Sequence, residues 1–234
     1  MPYYYWDPTY ILVLIGALLS VGASALVNRT FNRYSSVYAR SGLTGAQAAQ
    51  KLLHSQGIYD VQIQHISGSL TDHYDPRNKT LSLSDAVYNA TTVAAIGVAA
   101  HECGHAIQHA KGYVPLSIRS ALVPVVNFGS YLSWPLIVIG LFINSSTGSL
   151  FLNAGLLLFS LVVLFQLVTL PVEINASRRA VRLLDQEHIL IGDEVGQTAR
   201  VLKAAALTYV ASAAASILQL LRLLILTGGR RRDD

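Results

Sequence analysis

Cysteine is all but missing from this chain. Cys103 stands alone among 234 residues, so no intramolecular disulfide can form. A single thiol fits a reducing compartment, and it reads as a small packed residue rather than a ligand or redox switch. Charge is scarce as well. Asp, Glu, Lys and Arg together make up 13% of the residues against 52% hydrophobic, a balance too apolar for an ordinary soluble domain. The net charge of +4 needs no nucleic acid as a partner; it matches basic loops lying against an anionic inner leaflet. Internal repeats and low-complexity tracts are missing too, apart from an alanine-rich start to the last apolar run.

What is present in quantity is long apolar sequence. Residues 9–27, 121–143 and 150–170 each suffice to cross about 30 Å of hydrocarbon. The first two are free of charge, and the third carries only Gln166 as a strongly polar residue. A fourth run, 204–226, is weaker because it contains Gln219 and Arg222; it either spans or lies against the catalytic domain or the membrane surface. Only Asp7 is charged ahead of the first run, so that run reads as an anchor and not as a cleavable signal peptide. Tyr3, Tyr4, Tyr5 and Trp6 suit an interfacial aromatic belt.

Basic residues orient these spans. Arg29, Arg33 and Arg40 follow the first run, and Arg178, Arg179, Arg182, Arg200 and Lys203 fall within 171–203. Positive charge stays inside, which puts the N-terminus outside and both 28–120 and 171–203 on the cytoplasmic side. Arg230, Arg231 and Arg232 would break this trend if the fourth run crossed.

Segment 28–120 looks like a small soluble domain. Thr44-Gly45-Ala46-Gln47 is a capping-box pattern, predicting a helix that runs to Gln56 and stops at Gly57. Val61–Gln64 and Lys79–Ser84 alternate as strands do, with Asp72–Asn78 between them as a polar loop. Ser84-Asp85 reads as a helix start, and Thr92–Ala110 reads as a helix. The strand just before that helix is expected to offer an exposed edge to an extended peptide, or simply to pack on helix 44–56. Asp72 and His73 are candidates to line such a cleft.

The helix contains His101-Glu102-Cys103-Gly104-His105, an H-E-x-x-H sequence. Shuffling this composition would yield the pattern only roughly 0.004 times per chain. Residues four apart share a helix face, so both imidazoles can reach one Zn²⁺ while Glu102 takes a proton from its water. Gly104 and Ala106 are small enough to leave room beside a metal. A third protein ligand is required. His109 lies about 12 Å along the axis from His101, too far to share one ion without breaking the helix. Glu173 is the better candidate, on a helix expected to open at Pro171.

H-E-C-G-H followed about seventy residues later by Glu173-Ile174-Asn175-Ala176-Ser177-Arg178-Arg179-Ala180 resembles the membrane-embedded gluzincin peptidases, the group of the heat-shock HtpX and CAAX-prenyl proteases. Over its full length the chain looks more like the bacterial YugP-type membrane zinc metallopeptidases, through Tyr3–Tyr10, Leu70–Arg77 and Ala99–Ala106. The resemblance implies His101, His105 and Glu173 as zinc ligands and Glu102 as general base. The HtpX pattern has Asp where this chain has Ser177, a weaker hydrogen-bonding partner for a ligand histidine.

The expected fold is therefore mainly α and integral to the membrane: three or four transmembrane helices plus a small α+β zincin-like catalytic domain carrying the H-E-x-x-H helix. The expected partners are the lipid bilayer and a peptide or membrane-protein substrate. Tyr209, His188 and Arg178 are candidates for the oxyanion donor, with Ser177 supporting a ligand. A catalytically idle membrane scaffold or chaperone with structural zinc is the competing reading; Glu102 argues against it, since structure needs no acid–base group beside the ligands. Zinc transport or sensing would want charges inside the spans, and the three good spans offer none.

Overall fold

The structure is a computed structural model that describes residues 7–143 and 145–228. The expectations for Tyr3–Trp6 and for Arg230–Arg232 fall outside the described residues. Among the described residues, six helices and three short strands follow in order: α1 (Tyr10–Tyr34), α2 (Gly45–Ser55), β1 (Gln62–Ile66), β2 (His73–Asp75), β3 (Thr80–Ser84), α3 (Val93–Ala110), α4 (Val114–Phe142), α5 (Ser146–Gln186) and α6 (Asp193–Gly228). Four of them, α1, α4, α5 and α6, are long and apolar enough to cross a membrane. The fourth apolar run thus forms part of one continuous helix that begins at Asp193.

The described chain divides into two compact units. The first comprises Met1–Gly22, Ile118–Thr169 and Tyr209–Asp234. Ile137, Leu152, Phe159, Val163 and Leu223 form its small core, while Leu18, Phe128 and Phe142 face outward at 63%, 67% and 85% exposure. Apolar side chains buried no better than this need another apolar phase around them, and a bilayer supplies it. Small residues let the helix backbones approach. A Cβ on Gly155 of α5 would lie 2.9 Å from the Ser133 carbonyl oxygen on α4, and one on Gly16 of α1 would lie 3.1 Å from the Ala215 Cα on α6. Nearer the chain start, Arg222 donates to Asp7 at 3.2 Å and to the Thr9 hydroxyl at 3.3 Å, and its guanidinium lies 4.2 Å from the centre of the Tyr10 ring. The pairs 16/215 and 10/222 run in opposite directions, so α1 and α6 are antiparallel.

The second unit comprises Ala23–Ser117 and Leu170–Thr208. Thr44 caps α2 as expected: its hydroxyl accepts from Gln47 N, and the Gln47 side chain accepts from Thr44 N. Gly57, at φ +72°, turns the chain after α2. The sheet order is β1-β3-β2, with β1 parallel and β2 antiparallel to β3. Residues 73–75, expected within a polar loop, form β2 instead. β3, expected either to present an edge or to pack on helix 44–56, presents no free edge: it is the central strand and is buried throughout. Leu81 and Leu83 pack into the core, while Ser84 N and Oγ are both satisfied by the Asp72 carboxylate at 2.8 and 2.9 Å. Asp72 therefore ties down the end of β3.

Two helix-start signals also fail. Ser84-Asp85 opens only a turn, while α3 begins after Thr92, in line with the reading of Thr92–Ala110; the Thr92 hydroxyl accepts from Ala95 N. Pro171 starts no helix; it lies inside α5, which runs unbroken from the third apolar run to Gln186. An internal proline forfeits one backbone hydrogen bond, whereas ending the helix there would leave several backbone groups to be satisfied elsewhere. Segment 171–203 is accordingly the end of α5, a turn, and the start of α6.

Candidate metal centre

α3 is buried along nearly its whole length, because its alanines and glycines admit neighbours on several sides. α2 packs on one side, where Cys103 Sγ lies 3.6 Å from the Ala49 carbonyl oxygen. Burial pushes the Cys103 thiol well above its usual range, so it serves as packing. On another side Gly104 meets α5 at Ala176. Its smallness thus serves this helix contact, not only space for a metal.

That contact sets the site. His101 and His105 stack one turn apart on α3, their ring centres 4.8 Å apart and nearly perpendicular. Glu173 and Ser177 stack one turn apart on α5. The Glu173 carboxylate reaches both imidazoles: Oε2 lies 3.2 Å from His101 Nε2 and 3.4 Å from His105 Nε2. One donor atom from each of the three residues falls within 4.8 Å of the others. Glu173 is 2% exposed. Burial works to raise its pKa, but the bonds from His101 and His105 outweigh it and hold the carboxyl well below the carboxylate range. Glu102 is buried too; its pKa is raised by desolvation, with the two imidazoles opposing.

Both outer ring nitrogens are occupied by side chains. Ser177 Oγ lies 3.1 Å from His101 Nδ1, and Gln108 Oε1 lies 3.1 Å from His105 Nδ1. Each imidazole therefore turns Nε2 inward toward Glu173. Two imidazole nitrogens and one carboxylate oxygen, steadied from behind, form a donor set that fits Zn²⁺ with a coordination position left over.

The remaining expected residues divide. Ser177 reaches His101 through its hydroxyl. His109 bonds through Nδ1 to the Tyr74 hydroxyl at 2.9 Å, outside the triad. His73 is exposed, with Nδ1 at 2.9 Å from its neighbour Thr71's carbonyl oxygen. Arg178 is exposed, His188 is exposed in the α5–α6 turn at φ +51°, and Tyr209 is half-buried in the first unit. Sequence reasoning missed Gln108, Asn175 and Arg179. Gln108 is fully buried; its Nε2 donates to Val172 O at 2.8 Å and to Asn175 Oδ1 at 3.0 Å, and Arg179 Nε donates to the same Asn175 oxygen at 2.7 Å. The available signal was a glutamine three residues past His105 on an alanine-rich helix, where a buried amide must find partners.

Such a donor set beside a further carboxylate belongs to the class of zinc-dependent peptidases. The chain belongs to the family described as "Putative neutral zinc metallopeptidase", which it matches over residues 9–228. It is 45% identical over 224 residues to a Bacillus subtilis (strain 168) protein described as "Putative membrane protease YugP", a match covering 94% of this chain and 98% of the other. No solved structure matches the chain significantly. The cofactor of the family is zinc, and the protein is a membrane protein.

Proposed function

We propose that this protein is a membrane-embedded endopeptidase of the H-E-x-x-H plus Glu type, hydrolysing peptide bonds in membrane-associated proteins. The observation that carries it is the convergence of His101, His105 and Glu173 from two separate helices, with Glu102 next to the first histidine. His101, His105 and Glu173 would hold the zinc. When bound, the metal supplies Lewis acidity toward the scissile carbonyl and a water of lowered pKa. Glu102 takes a proton from the attacking water and passes it to the leaving amine.

The substrate strand pairs with β2. Both edges of β3 are taken, and the outer edge of β2 carries no further strand among the described residues. β2 is antiparallel to β3 and packs against α3.

Residues 9–27, 121–143, 150–170 and 204–226 cross the plasma membrane. The N-terminus is outside, and 28–120 and 171–203, which bear the site, face the cytoplasm. The antiparallel contact of α1 with α6 supports a fourth crossing.

The deciding experiment compares wild-type protein with Glu102→Gln for zinc content and for chelator-sensitive cleavage of casein or a membrane-protein fragment. Loss of cleavage with zinc retained is the expected result. Full hydrolysis by the zinc-loaded variant would overturn the mechanism.

A further inference from the structure

We infer that Gln108, held in one orientation by Asn175 and Arg179, is a positioning residue that decides which ring nitrogen of His105 faces the zinc site. The inference rests on the metal-site reading above, and it concerns side chains outside the ligand set.

The orientation follows by elimination. A guanidinium can only donate, so the Asn175 atom 2.7 Å from Arg179 Nε has to be the carbonyl oxygen. That oxygen also lies 3.0 Å from the Gln108 amide, so Gln108 must offer its NH₂ group there. The Val172 carbonyl, 2.8 Å away, makes the same demand. With Nε2 committed twice, Oε1 is left facing His105 Nδ1 at 3.1 Å. An oxygen in that place requires Nδ1 to carry the proton, which leaves the lone pair on Nε2, the atom 3.4 Å from Glu173. Gln108 is wholly buried, so a flipped amide would set its oxygen against two acceptors, Val172 O and Asn175 Oδ1, and would impose the other tautomer on His105.

His101 has no such constraint. The Ser177 hydroxyl can donate or accept, so it tolerates either tautomer. The two imidazoles are thus held to different degrees, and only the second is fixed by an amide chain. The same chain joins α3 to the Val172 carbonyl, one residue before Glu173 on α5. Gln108 therefore sets the ring of one proposed ligand and the helix of another.

The test measures Zn²⁺ affinity of the full chain in detergent by competition with a chromophoric chelator, alongside Co²⁺ absorption as a report on coordination geometry. Gln108→Met is expected to weaken Zn²⁺ binding about tenfold or more and to alter the Co²⁺ spectrum. Arg179→Met, which touches no proposed ligand, weakens binding in the same direction, while Arg179→Lys keeps a donor and restores it. Gln108→Glu places a carboxylate oxygen against two acceptors and also weakens binding. Adding Arg179→Met to Gln108→Glu frees Asn175 to turn its NH₂ toward the carboxylate, so the double variant binds more tightly than Gln108→Glu alone. A general loss of packing cannot produce that reversal of sign.

Wild-type affinity in Gln108→Met, or additive losses in the double variant, would overturn the inference. Should Gln108→Met fail to fold, the Arg179 variants decide alone: equal affinity in Met and Lys overturns the proposal. A wild-type chain that binds no Zn²⁺ instead sinks the metal-site reading itself, so the two failures are distinguishable.

Discussion

Gly104 and Ala176 hold α3 and α5 so close that a Cβ added at position 104 would sit 2.6 Å from the Ala176 carbonyl oxygen. The contact is backbone against glycine, with no flexible side chain to swing aside. It lies between the histidine pair of one helix and the Glu173–Ser177 pair of the other. The distance between the proposed ligands is therefore set by the absence of a side chain.

Gly104→Ala should accordingly destabilise the protein by about 1–3 kcal/mol, the usual range for overpacking a tight contact. It should also weaken Zn²⁺ binding by spreading the two helices. Gly22→Ala is the control: nothing lies within 4 Å of its added Cβ, and alanine is the better helix former. Thermal melting in detergent with and without zinc checks both. Equal melting temperatures for Gly104→Ala and wild type would mean that the helices are not in register as described.

Glu102→Gln removes the proton acceptor yet leaves the shape of the side chain. Turnover should fall by about 10²–10⁴-fold, the span covered by positioned general acid–base groups, with zinc content unchanged. Glu102→Asp keeps the chemistry and retreats by one methylene, so it should lie between the two. The comparison is read from kcat on a quenched peptide substrate at saturating zinc.

The Ser177 hydroxyl lies 3.1 Å from His101 Nδ1. Ser177→Ala should weaken Zn²⁺ binding about tenfold by leaving that imidazole free to rotate. Ser177→Asp should tighten it, because a carboxylate accepts the Nδ1 proton more strongly than a hydroxyl. Chelator competition measures both. An unchanged affinity in the two variants would show that the Ser177 bond does not orient His101.

What could be read from the sequence was local. The α2 boundaries follow from a capping box at Thr44 and a glycine at 57, both contained in a dozen residues. The start of α3 at Thr92 and the histidine pair at one-turn spacing are equally short-range. What could not be read depends on partners far along the chain. β2 has three residues and exists because β3 offers an edge, so no periodicity announces it. β3 reads as a half-buried strand, yet Gln64 and Asp72 satisfy its inner serines and allow burial of both faces. Pro171 carries a helix-start signal that the continuity of α5 overrides. Glu173 stands out in the sequence as a lone carboxylate following a long apolar run, whereas Gln108 becomes visible only once Val172 and Asn175 are in place.

The fourth apolar helix gives the last prediction. Arg222 counted against a crossing in the sequence, because an unpaired guanidinium in hydrocarbon is costly. In the structure it is paired with Asp7 and Thr9 and lies over the Tyr10 ring, and only 14% of its side chain is exposed. Arg222 therefore sits level with the residues that open the first span, near where that span meets water. If α1 crosses, α6 crosses beside it in the opposite sense, and Thr9 and Thr227 emerge on one side. Cysteines placed singly at these two positions should both react with a membrane-impermeant maleimide added to intact expressing cells. The natural Cys103 should give little background, since it is buried and its thiol is held protonated. Labelling of Thr9→Cys without Thr227→Cys would refute the fourth crossing. Arg222→Leu should then leave the Asp7 carboxylate without its cation, lowering the melting temperature more than Arg222→Lys does.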